Sequence, residues 1–185
     1  MESSIRFLSG RTGTCCSITR IYLTWQGEAY PADDMTWDEY EELAKKMTSG
    51  EGSAKVYGTH NHTWQALVSN WAVQDGKNTL MSEDYSFLKP YYEQALRMQD
   101  EGVVQSYANL KTGSIHYISV FEQQQCAMIP MGSWFIGTLT QDKDAGKFDF
   151  NWGVTAIPHP ADTKAGGYGW FHHTGCHQCK VRCAG

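Results

Sequence analysis

The residue types best suited to chemistry crowd the C-terminal run, where His172, His173, Cys176, His177, Cys179 and Cys183 stand close together. Cys176-x-x-Cys179 has knuckle spacing, and Cys183 with a histidine would complete four zinc ligands. So short a span leaves little chain to wrap an ion, however, and a second ligand pair at normal separation is absent. A second group is His60-Asn61-His62 with Trp64, where imidazoles and an amide offer hydrogen bonds beside a large apolar ring. A third is Gly132-Ser133-Trp134. Small residues before an aromatic at a strand end put backbone donors and a flat ring side by side, where α/β proteins bind ligands. The carboxylates Asp38, Glu39, Glu41 and Glu42 fall in the first turns of a helix and read as its solvated side, not as an acid/base pair.

These groups need elements to hold them, and the body from about Glu28 to Gly166 alternates helical and strand-like segments as an α/β domain does. Thr36 can cap a helix, Glu39 can complete its capping box and Met35 can staple against Tyr40. Trp37, Tyr40, Leu43, Ala44 and Met47 then share a face, with Lys45 and Lys46 near the negative C-terminal dipole. Lys55 to Gly58 reads as a strand, and the 59–62 turn feeds a helix with Trp64, Leu67, Val68 and Trp71 on one side. A third helix covers roughly Ser86 to Glu101, with Pro90 near its first turn and Gly102 at its left-handed end. Tyr91, Tyr92, Ala95, Leu96 and Met98 on it are expected to pack. An amphipathic stretch from Ile118 to Gln124 precedes a strand over Cys126 to Pro130, and Trp152 to Pro158 forms another strand. No Gly-rich phosphate loop and no internal repeat occurs.

The 185 residues carry 15 Lys+Arg against 20 Asp+Glu, a net charge of −5. That balance argues against a nucleic-acid partner, which needs a basic face. With 41% hydrophobic and 19% charged residues there is apolar mass for one core and too little charge for a disordered chain. The apolar runs are far short of a membrane span. The first residues, MESSIRFLSGRTG, lack the apolar core and cleavage site of a secretory signal.

Several motifs, in order, resemble the extracellular solute-binding proteins of carbohydrate ABC transporters, the family related to maltose-binding protein. They are the Pro31-to-Leu43 stretch with its Thr-Trp-Asp-Glu-Tyr helix start, Phe121 to Trp134 as an F…AM…G-x-W pattern, and Trp152 to Pro158 as a WGV-x-x-IP strand. The resemblance covers about three quarters of the chain and implies roughly one lobe of a type II periplasmic-binding-protein fold, whose full members close two lobes on a ligand. It implies a sugar-stacking role for Trp134, with Gly132 and Ser133 beside it. It also places ligand contacts near His60, Asn61, His62 and Trp64, without a firm residue match. The plainer readings, Trp134 as core and a solvated turn beside a core tryptophan, stand beside these. An aromatic face can cover the C–H side of a pyranose while amides, hydroxyls and imidazoles bond its hydroxyls.

The two ends fit this picture through the genetic code. Read one base later, the codons of Trp170 and Phe171 force a glycine, and downstream codons permit the strand-and-turn string that follows WGV-x-x-IP in the family. Read one base earlier, those of Trp25 and Gln26 force an alanine, and their neighbours permit a string similar to the family's YNKDLF-x-x-AG segment. Residues 1–27 and 167–185 are therefore expected to be out of frame and poorly packed, flanking a lobe fragment over 28–166. On that expectation the terminal cysteines serve no metal or disulfide, Cys126 is a buried small apolar residue, and the missing signal reflects truncation.

The expected function is a monomeric, non-catalytic fragment of a binding protein. Its parent captures a sugar or oligosaccharide outside the cell or in the periplasm, as a soluble or lipid-anchored protein, and hands it to an ABC permease without a cofactor. The alternative is a small zinc protein or zinc-dependent hydrolase built on the Cys/His tail.

Overall fold

The computed structural model describes residues 14–19, 31–32, 34–64, 66–73, 77–132 and 134–163, with the backbone alone for 14–19 and residue 66. In chain order the elements are β1 (Thr14–Thr19), α1 (Trp37–Met47), β2 (Tyr57–Thr59), α2 (Ala66–Ala72), α3 (Lys89–Asp100), α4 (Tyr107–Thr112), α5 (Tyr117–Glu122), β3 (Cys126–Gly132), α6 (Trp134–Asp144) and β4 (Trp152–Ala156). Single 3-10 turns cover Gly52–Ala54 and Ser86–Leu88.

The α1 start forms as its residues dictate. Thr36 Oγ1 accepts from the Glu39 N–H while Glu39 Oε2 accepts from the Thr36 N–H at 2.8 Å, which closes the capping box. Trp37, Tyr40, Ala44 and Met47 are buried on one face, and Lys45 and Lys46 occupy the last turn. Glu41 departs from the solvated reading of this helix: its residue is 3% exposed, because α3 lies across it and supplies a charged partner. Arg97 Nε and Nη2 donate to its two carboxylate oxygens at 2.8 and 2.6 Å, and Lys45 Nζ lies 3.1 Å away. These partners, Arg97 foremost, hold the Glu41 carboxyl down at about 2.

On α3, Pro90 occupies the first turn, and Gly102 just past the end has φ +69°. Met98 is buried, and Tyr91 and Ala95 pack in part against the core. Tyr92 and Leu96 do not; they are exposed, because the i, i+4 pair falls on the face turned from α1. The helix after the 59–62 turn begins only at Ala66. Leu67 and Trp71 are buried there, whereas Trp64 lies before the helix and is exposed.

The sheet order is β2-β3-β1-β4, with β2 and β3 parallel and β1 antiparallel to both of its neighbours. It follows that β2, β3 and β4 run the same way and end at one edge. β1 lies in the segment expected to pack poorly, yet it is paired over five residues with each of β3 and β4. Ladder bonds use backbone groups common to every residue, and β3 and β4 each present an edge to the space between them.

β3 is buried throughout, which explains its continuous apolar composition. Ala127 and Met128 join the core under α1, α2 and α3. Cys126, Ile129 and Met131 join a second core with Tyr117, Val120, Phe121, Phe135, Leu139, Phe148, Phe150 and Trp152. The sheet is thus covered on both faces. Cys126 is fully buried, and desolvation raises its thiol far above the ordinary range. No helix among the described residues is long and apolar enough to cross a membrane.

Candidate functional site

The shared edge at the ends of β2 and β3 gathers most of the site residues expected from the sequence. β2 ends at Thr59, and the chain continues through His60 to Trp64 before α2 opens. The His60 N–H donates to the Met128 carbonyl at 3.0 Å, which fixes this turn to the neighbouring strand. β3 ends at Gly132, and Trp134 is the first residue of α6. Ser133 lies outside the described residues.

Trp134 is 40% exposed and Trp64 42%, so neither is ordinary core. Their ring centroids are 6.1 Å apart at an interplanar angle of 51°. Gly132 explains how the Trp134 ring reaches this position. A β-carbon on Gly132 would sit 2.2 to 2.6 Å from three carbons of the indole's benzo ring, so the ring rests where only a glycine leaves space. The small residue of the G-x-W motif is there for the ring that follows it.

Around Trp64 the wall is aromatic. His62 meets Trp64 edge-on with centroids at 4.8 Å, and Tyr117 meets Trp64 at 5.4 Å and His62 at 5.1 Å. His116 stands 5.7 Å from His62. His60 is 2% exposed, and its Nε2 lies 3.4 Å from Nδ1 of His62. Burial first, then the neighbouring imidazoles of His62 and His116, push His60 down to about 3. Burial first, then His116 and Lys111, push His62 down to about 4. Both rings are therefore neutral at pH 7, and each offers one N–H and one lone pair. Asn61 Oδ1 is buried without a hydrogen-bond partner among the described residues.

His116 and Tyr117 were not visible as site residues in the sequence. His116 caps α5, its Nδ1 accepting weakly from the Ile118 N–H at 3.4 Å, and only the folded sheet edge brings it to His62. A polar residue followed by an aromatic at a helix start is too common a pair to signal this by itself.

A cleft of about 440 Å³ lies elsewhere, between α1, α3 and the chain after β4, lined by Trp37, Tyr91, Gln94, Arg97, Pro160 and Asp162 among others. It contains none of the residues expected to bind ligand. Among the described residues no three His, Cys, Asp or Glu side chains converge to hold a metal ion. The Cys/His tail that raised the zinc reading lies outside the described residues.

Residues 23–178 match the model of a family described as bacterial extracellular solute-binding proteins. The chain belongs to that family. A sugar transporter from Rhizobium etli, solved in an open conformation, is 40% identical with a TM-score of 0.81, over 84% of this chain and 40% of that one. An ABC substrate-binding protein from Listeria monocytogenes, in complex with cycloalternan, shares 22% identity and a TM-score of 0.66, over 82% of this chain and 38% of that one. A solute-binding protein from Agrobacterium vitis with bound D-mannitol shares 17% identity and a TM-score of 0.65, over 85% of this chain and 39% of that one. These two likenesses speak for the fold. Among curated proteins nothing matches. The chain spans about two fifths of the length of these solved structures, and its fold is part of a periplasmic-binding-protein fold, consistent with one lobe.

Proposed function

We propose that this chain is the sugar-contacting part of an ABC-transporter solute-binding protein. Its parent captures a sugar or oligosaccharide outside the cell or in the periplasm and delivers it to the permease as a non-catalytic, monomeric carrier. The observation that carries this reading is the pair of exposed indoles, Trp64 and Trp134, standing together at the carboxyl edge of the sheet beside neutral imidazoles.

Each part of that wall suits a carbohydrate. The indole faces can cover the apolar side of a pyranose ring, and the half-buried His62 ring offers hydrogen bonds to its hydroxyls. A cationic ligand is disfavoured, since the Lys111 ammonium that acts on His62 carries the same sign. A ligand held between two lobes leaves each lobe with only one face of the contacts.

The relative with 40% identity is a sugar transporter, and relatives of the same fold were solved with cycloalternan, D-mannitol and stachyose. The test is titration calorimetry of the completed two-lobed protein against a panel containing those three compounds and maltotriose. Binding of a member at about micromolar strength, −8 kcal/mol, supports the reading, and a panel without measurable binding overturns it.

A further inference from the structure

Resting on the reading of this edge as a sugar site, we infer that it takes an acidic sugar, one carrying a carboxylate, in preference to the neutral parent of that sugar. His116 and Lys111 receive the carboxylate. Lys45, Lys77, Lys89 and Lys147 each stand within ion-pair distance of an acid. Lys111 pairs with none among the described residues. It is exposed on the last turn of α4, with its Nζ 5.7 Å from the centre of the Tyr107 ring. Its charge nonetheless reaches His62, and no carboxylate acts there beside it. In a chain with 20 Asp+Glu against 15 Lys+Arg, a site edge whose near charge is basic favours an anionic ligand.

His116 supplies the second donor. Its ring is exposed, and it caps α5 through Nδ1, which accepts from the Ile118 N–H at 3.4 Å. With Nδ1 accepting, the ring proton sits on Nε2, the nitrogen left for a ligand. The Tyr117 ring centre lies 4.2 Å from that of His116 and 5.4 Å from that of Trp64, so the imidazole borders the indole platform. An imidazole N–H and an ammonium are two donors for the two oxygens of a carboxylate, and such charge-assisted bonds are about twice as strong as neutral ones. A hydroxymethyl group in the same place forgoes that gain, and the ammonium then loses water to the ligand without an anion in exchange. A phosphate is the poorer match. It suits the arginine fork, and the one arginine among the described residues, Arg97, is bound to Glu41 on α1.

The test uses the 185-residue chain and follows the Trp64 and Trp134 indole N–H signals by NMR at neutral pH, which reads binding in the millimolar range. The probes are D-galactose with D-galacturonate, D-glucose with D-glucuronate and D-glucose 6-phosphate, maltotriose, and acetate as a bare carboxylate. At least one uronate should bind about fivefold or more tightly than its neutral parent, and added salt should shrink the gain. Lys111→Gln should bring that uronate to within about twofold of its parent, and Lys111→Arg should keep the preference. His116→Asn, which can still cap α5, should lose part of it. Equal affinity for uronate and parent, a preference that survives Lys111→Gln, or shifts with maltotriose alone overturns the inference and leaves the sugar reading intact. Glucose 6-phosphate binding more tightly than glucuronate, or acetate binding as tightly as the uronates, also overturns it. If no sugar in the set moves either indole signal, the sugar reading falls and the inference falls with it.

Discussion

Gly132 leaves the space that the Trp134 benzo ring occupies, and the close approach has a measurable consequence. In Gly132→Ala the methyl would meet the benzo ring at 2.2 Å, so the indole must swing away from the wall. Sugar affinity in the two-lobed protein should fall at least fivefold, with a stability cost of about 1 kcal/mol by urea unfolding; unchanged affinity would mean that the ring's position is immaterial. The imidazoles give a second prediction. His60 and His62 titrate near 6.5 when unfolded but only near 3 and 4 when folded, so below pH 6.5 the unfolded chain takes up protons that the folded chain does not. Stability is then lost as pH falls from 6.5 towards 4 and below. Between pH 7 and 4.5 His60→Gln should lose about 2 kcal/mol less than the wild-type chain, and equal losses would refute the burial account. At this scale the sequence showed the partners on each strand end but not their meeting, since His116 and Tyr117 reach His62 only through the folded sheet edge.

Among the elements, α1 was the most legible because its signals are local: a cap, a box partner three residues on and a repeating apolar face all lie within one segment. What the segment could not reveal is the burial of Glu41, which depends on Arg97 on α3. Tyr92 and Leu96 went the other way for the same reason, since apolar composition does not say which side of α3 meets a neighbour. The α1–α3 contact can be tested through its charge. Arg97→Ala leaves the buried Glu41 with only Lys45 as a cationic partner and should cost about 2–3 kcal/mol in urea unfolding, and adding Glu41→Gln should recover part of that loss. No loss on Arg97→Ala would show that the pair is as weak as an exposed one.

For the whole molecule, the order of strand and helix signals was enough to read an α/β lobe, and the family membership agrees with it. The place of β1 in the sheet was not readable. Its partners are more than a hundred residues away in sequence, and pairing through backbone groups leaves little trace in side-chain pattern. We propose that residues 1–27 and 167–185 are out of frame with the lobe, and the coding DNA decides this directly. Frames shifted by one base should stay open and continue the family pattern beyond both ends, whereas scattered stop codons there would refute the proposal. The central claim is that Trp134 is a sugar platform on one lobe of a binding protein, and the most direct measurement is the sugar affinity of the two-lobed protein with and without that ring. Trp134→Ala should weaken binding by about 1–3 kcal/mol, roughly five- to two-hundredfold, with the melting temperature nearly unchanged. An affinity that stays the same after Trp134→Ala would contradict the claim and return the residue to a merely structural part in the fold.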